Sequence, residues 1–201
     1  MNKLPIYNAT ISTEEDGLLV MSLVEYPATE FNWLCFEKEE KPIKFAVQDE
    51  EKHILCGVVM LADTPIYRRD ASGYEYMIQY QKETLELMAE KMLFDNTFNN
   101  IDLQHNGEIL PKGDVILREL FIKDDERGIS PKGFESVPNG SLLCTYKINN
   151  EDLWSCCKNG TFQGFSLEGI FTVSESFEKV DDEDEKEILD LIEKLKNKIS
   201  K

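Results

Sequence analysis

Apolar residues recur along this chain with two different periods. Residues 9–24 read as two short strands around Glu14-Glu15-Asp16-Gly17. The second lies in LLVMSLVEYPA, a buried apolar strand that ends at Pro27. Trp33 to Phe36 and Ile43 to Val47 are further strand candidates on either side of a charged turn. HILCGVVMLAD is the most apolar run; its β-branched residues predict a core strand, bulged at Gly57. TPIYRRDASGY reads as a loop, and YEYMIQY alternates like a strand.

From Lys82 to Phe94 the period changes. Leu85, Leu87, Met88, Met92 and Leu93 fall at spacings of three and four, with charged residues mostly between them, which predicts an amphipathic helix. Strand periodicity resumes in IDLQH, turns at Asn106-Gly107, and continues in DVILRELFI. Residues 124–140 are rich in Gly, Pro and charge and predict a long loop; SLLCTYKI is a strand. NNEDLWSCCKNG predicts a short helix with Asn149 or Asn150 as cap, acids in its first turn and Gly160 as its stop. GFSLEGI follows as a strand.

Strands outnumber helices and do not alternate with them, so the pattern predicts an α+β, mostly β domain over residues 1–175 rather than a doubly wound parallel sheet. After Glu178 the composition shifts. An acidic run, Asp181 to Glu185, reads as a linker. Ile188, Leu191, Ile192, Leu195 and Ile199 then share one face of a C-terminal amphipathic helix, giving a second segment over 176–201.

Composition narrows the function classes. A hydrophobic content of 41% in 201 residues suffices for a core without staples. A net charge of −17 repels phosphate backbones and disfavours nucleic-acid binding. No apolar run is long enough to span a bilayer and no signal-peptide core stands at the N-terminus, so a cytosolic setting is expected. The five cysteines include the adjacent pair Cys156-Cys157 and read as free thiols. With two histidines, His53 and His105, and no CxxC, neither a metal nor another cofactor is expected.

Candidate chemistry comes from polar residues where the strand pattern calls for apolar ones. Glu119 interrupts the stripe Val115, Leu117, Phe121. His105 ends the stripe Ile101, Leu103. In GFSLEGI, Phe165 and Leu167 point one way while Ser166, Glu168 and Ile170 point the other. A serine hydrolase needs a hydroxyl, an imidazole to take its proton and a third group to orient the imidazole. It also needs donors for the oxyanion, and amides near Gly164 or in loop 124–140 are the candidates. GFSLEG is not the nucleophile elbow of a parallel-sheet hydrolase, because its glycines stand at −2 and +3 from the serine. The bland readings are a structural serine in a strand, an exposed turn histidine and a solvent-facing glutamate.

Several stretches together resemble a known family. MSLVEYPA, HILCGVVMLADTPIYR, YEYMIQYQKETLE, LQHNG, ILRELFI, SPKGFESV and INNEDLWSCCKNGTFQGFSLEG occur in the order found in the XkdF-like phage serine proteases, a branch of the tailed-phage prohead proteases. The resemblance covers roughly residues 15–173. It implies a fold similar to the herpesvirus capsid-maturation protease, a bent antiparallel β-barrel with flanking helices. It implies a serine endopeptidase that cleaves scaffold or capsid precursor, and itself in some cases, inside the assembling procapsid in the host bacterial cytoplasm. The partners implied are capsid and scaffold proteins and a second copy of the chain, with no nucleic acid and no membrane. Ser166 takes the place of the family's nucleophile and His105 that of its base. Glu119 is the first candidate for the third member, with Asp102 and Glu168 as alternatives, because Leu120 stands where the family commonly carries a serine. The competing expectation is a non-enzymatic procapsid or virion protein that retains the protease fold.

Overall fold

The computed structural model describes residues 4–26 and 46–175. The strand candidate Trp33 to Phe36 and the C-terminal linker and helix lie outside the described residues. Eleven strands and two α-helices are described: β1 (Ile6–Thr10), β2 (Gly17–Val24), β3 (Ala46–Asp49), β4 (Ile54–Met60), β5 (Ile66–Arg69), β6 (Glu75–Tyr80), α1 (Lys82–Phe94), β7 (Ile101–Leu103), β8 (Val115–Ile122), β9 (Leu142–Ile148), α2 (Glu151–Asn159), β10 (Gly164–Ile170) and β11 (Thr172–Glu175), with a 3-10 turn at Thr97–Asn99. The domain is α+β and mostly β.

The strands form three sheets, ordered β11-β1-β6-β5, β10-β2-β7 and β3-β4-β9-β8. These pairings do not close into a barrel among the described residues. Nor is the pairing wholly antiparallel, since β1 runs parallel to β6 and β2 parallel to β7. TPIYRRDASGY is only partly loop: its first half forms β5 and pairs with β6 from Ile66↔Ile78 to Arg69↔Glu75. The irregularity in β4 falls between Val58 and Met60 rather than at Gly57.

Sequence periodicity accounts for most elements. Leu85, Met88 and Met92 of α1, three and four residues apart, enter the main core, while Leu87 and Leu93 flank that stripe and stay exposed. In α2 the Asn150 side chain accepts from the amides of Asp152 and Leu153, and Gly160 closes the helix in the left-handed region at φ 82°. Trp154 anchors α2 in the core and stacks on His53 at 4.7 Å between ring centroids. That contact gives His53 a structural occupation away from the candidate site.

Two residues predicted from alternation land elsewhere. A bulge between Leu117 and Glu119 shifts the register of β8 against β9. An extra residue in a strand moves everything after it to the other face. Leu117, Leu120 and Ile122 therefore pack on the main core, and Glu119 leaves the stripe it was expected to interrupt. Likewise β7 stops at Leu103, so His105 stands beyond the strand on a turn.

Candidate active site

The middle sheet has one apolar face and one polar face. Met21, Leu23, Phe165 and Ile101 are all at most 3% exposed and enter the main core. Side chains alternate along a strand, so the residues between them point the opposite way. The register aligns those residues across all three strands: Ser166 of β10 faces Ser22 of β2, and Ser22 faces Asp102 of β7. Neighbouring strands lie about 4.8 Å apart, so residues aligned in register on one face are side by side. The three form a continuous polar row over a hydrophobic floor.

His105 joins this row from the turn after β7. Gln104 and His105 adopt φ of 54° and 57°, a left-handed region that costs a non-glycine residue on the order of 1–2 kcal/mol. Several hydrogen bonds hold the turn in that conformation. The Asn106 amide donates to Leu103 O at 3.1 Å, and the Gln104 amide to Leu23 O at 3.0 Å. The Gly107 amide donates to Asp102 Oδ2 at 2.9 Å. The turn sends the imidazole back over the sheet, where Nδ1 lies 2.8 Å from Ser22 Oγ and 2.8 Å from Glu168 Oε1. Ser22 Oγ in turn donates to Asp102 Oδ1 at 2.5 Å.

Burial grades the site from inside out. Asp102 and Ser22 are 0% and 1% exposed. Ser166 is 9% exposed, and its hydroxyl makes no hydrogen bond among the described residues. His105 and Glu168 form the open side, with side chains 33% and 47% exposed. The arrangement can hold an imidazole with Nδ1 toward acceptors and leave Nε2 for a proton transfer. Ser166 stands one strand beyond Ser22 on the same face, and among the described residues β10 is the edge strand of its sheet.

The predicted site residues divide accordingly. His105, Asp102, Glu168 and Ser166 are brought together on the middle sheet. His105 and Ser166 are not directly hydrogen-bonded; the hydroxyl bonded to His105 belongs to Ser22. Glu119 is not brought there, for it lies on β8 of another sheet, opposite Thr145, and its charge is felt by the Cys56 thiol. Ser22 was missed from the sequence. Its signal is of the same kind as that of Ser166: a lone hydroxyl inside an apolar strand, MSLV. Among the described residues no group of three or more His, Cys, Asp and Glu is placed to hold a metal ion.

An α+β domain with a histidine held between Ser22 and Glu168, and a second serine on the same sheet face, is compatible with a hydrolase of the serine type. Comparison with protein families goes further: residues 42–175 match the family model described as "Putative phage serine protease XkdF". The chain belongs to that family. The matched region contains His105, Asp102, Ser166 and Glu168, while Ser22 on β2 lies before it. No curated protein and no solved structure matches the chain.

Proposed function

We propose that the protein is a serine endopeptidase of phage capsid maturation, acting on scaffold or capsid precursor, and on itself, within the assembling procapsid in the host cytoplasm. The observation that carries the catalytic part is the placement of His105, its Nδ1 against Ser22 and Glu168, with Ser166 opposite Ser22 on the same sheet face and its hydroxyl without a hydrogen bond among the described residues. In this reading His105 Nε2 takes the Ser166 proton as Ser166 Oγ attacks the peptide carbonyl. The same nitrogen then protonates the leaving amine, and water releases the acyl group. Glu168 and Ser22 stabilise the imidazolium through Nδ1. The family membership and the ordered resemblance of its motifs support the viral setting.

A second reading is favoured by the 2.8 Å contact of Ser22 with His105: that Ser22 is the nucleophile. Its burial and the commitment of its proton to Asp102 weigh against it, since a substrate carbonyl must reach the attacking oxygen. Reaction with a fluorophosphonate followed by peptide mapping separates the two. Modification of Ser166, abolished in Ser166→Ala along with cleavage of a co-expressed capsid or scaffold protein, is the expected result. Modification of Ser22 selects the second reading. A folded protein that is not modified and cleaves nothing defeats both, and leaves a structural procapsid component.

A further inference from the structure

We propose that Ser22 and Asp102 form a buried relay that sets the tautomer of His105, with Ser22 as a positioning residue. The assignment follows from counting protons. A carboxylate only accepts, and both oxygens of Asp102 are used: Oδ1 by the Ser22 hydroxyl and Oδ2 by the Gly107 amide. Ser22 has one hydroxyl proton, and Asp102 takes it. Toward His105 the Ser22 oxygen therefore presents a lone pair, so the 2.8 Å bond requires a proton on His105 Nδ1. Nε2 is then the nitrogen left to act as base.

Glu168 asks for the same proton from the same nitrogen, at the same 2.8 Å. The two acceptors are not equivalent. Glu168 is half exposed, where water competes for its oxygens and salt screens its charge. Ser22 and Asp102 are essentially inaccessible, so water cannot substitute for either. Asp102 also holds the backbone of the turn through Gly107, two residues beyond His105. One buried carboxylate thus fixes both the path of the turn and, through Ser22, the protonation of its ring. Ser22 lies outside the family-matched residues, so the relay joins β2 to a site otherwise contained within that match.

The catalytic consequence rests on the protease reading; the tautomer does not, and the experiment separates them. The full chain is labelled with 15N-histidine, and its two histidines are assigned with His53→Gln. Neutral His105 is expected to carry its proton on Nδ1 in the wild type and to keep it there in Glu168→Ala. In Ser22→Ala the Nε2–H form should rise to a substantial fraction, and fluorophosphonate labelling of Ser166 at pH 7 should fall about tenfold. Ser22→Thr, which restores a hydroxyl, should restore the Nδ1–H signal. An Nε2–H wild type, or a Glu168→Ala protein that switches to Nε2–H, overturns the relay, and neither needs Ser22→Ala to fold. Nδ1–H in both proteins without any serine labelling supports the relay while removing the protease reading.

Discussion

Asp102→Asn provides a demanding test, because it reverses the proton chain while leaving the Gly107 amide, the Ser22 hydroxyl and His105 Nδ1 each with a partner. The Gly107 amide needs an acceptor, so the Asn oxygen should remain on that side and its NH2 should face Ser22. Ser22 Oγ then accepts from the amide and turns its own proton toward His105 Nδ1. The imidazole responds by carrying its proton on Nε2, where it can no longer serve as a base. Stability should change little. Hydrogen bonds to a charged group, worth about 1.5–3 kcal/mol, become neutral ones worth about 0.5–1.5 kcal/mol. Removal of a buried charge offsets part of that difference. A net loss of about 1–2 kcal/mol corresponds to a Tm lower by roughly 2–8 °C for a chain of this size. The rate should change more. A fully trapped wrong tautomer costs serine hydrolases on the order of 10^4 in kcat. Here Glu168, 2.8 Å from Nδ1, still favours the productive form. Returning the proton to Nδ1 therefore costs roughly 1.5–3 kcal/mol, a 10- to 100-fold loss at about 1.4 kcal/mol per tenfold. The assay is the second-order rate of fluorophosphonate labelling, read beside a thermal melt. A folded Asp102→Asn protein labelled within twofold of the wild-type rate refutes the reasoning.

Three further outcomes are expected elsewhere in the molecule. Glu119→Gln should leave the labelling rate within twofold of wild type, because β8 holds Glu119 in another sheet; a tenfold loss would return it to the site. The register of β10 against β2 shifts between Glu168 and Gly169, and Gly169→Ala there should destabilise the fold by roughly 1–3 kcal/mol in chemical denaturation, since a Cβ would clash with the Gly17 carbonyl oxygen; wild-type stability would show that this bulge yields. The amides of Ser12 and Thr13 and the Thr172 hydroxyl all donate to Asp16 and hold its carboxyl below the ordinary 3.8, which ties the turn before β2 to β11. A depressed folded-state value contributes stability above the unfolded value and loses it as pH falls through the folded one. Stability measured downward from pH 5 should therefore drop below about pH 4 in the wild type and drop less in Asp16→Asn; equal slopes would exclude the linkage.

How legible the site was in the sequence depended on how local each signal is. The α1 stripe of Leu85, Met88 and Met92, the Asn150 cap and the Gly160 stop are set within one or two helical turns, and they stand where the pattern placed them. Alternation also put Ser166 and Glu168 on one face of β10, because nothing interrupts that strand before Gly169. It failed at Glu119 and at His105. A bulge in β8 changed the face after Arg118, and a left-handed pair at Gln104-His105 ended β7 early. Neither leaves a mark in the polar/apolar pattern, since the bulge depends on pairing with β9 and the turn on bonds from Leu23 and Asp102.

The sequence by itself thus determined the mostly β character, the two internal helices, the candidates His105 and Ser166, and the family. Only the tertiary structure decided which carboxylates stand at the histidine and that Ser22 stands there too. The physical reason lies in strand register. Ser22, Asp102 and Ser166 are separated by 80 and 64 residues, and they meet because β10, β2 and β7 pair with those three residues opposed. A shift of one residue would bury the same side chains in the apolar floor.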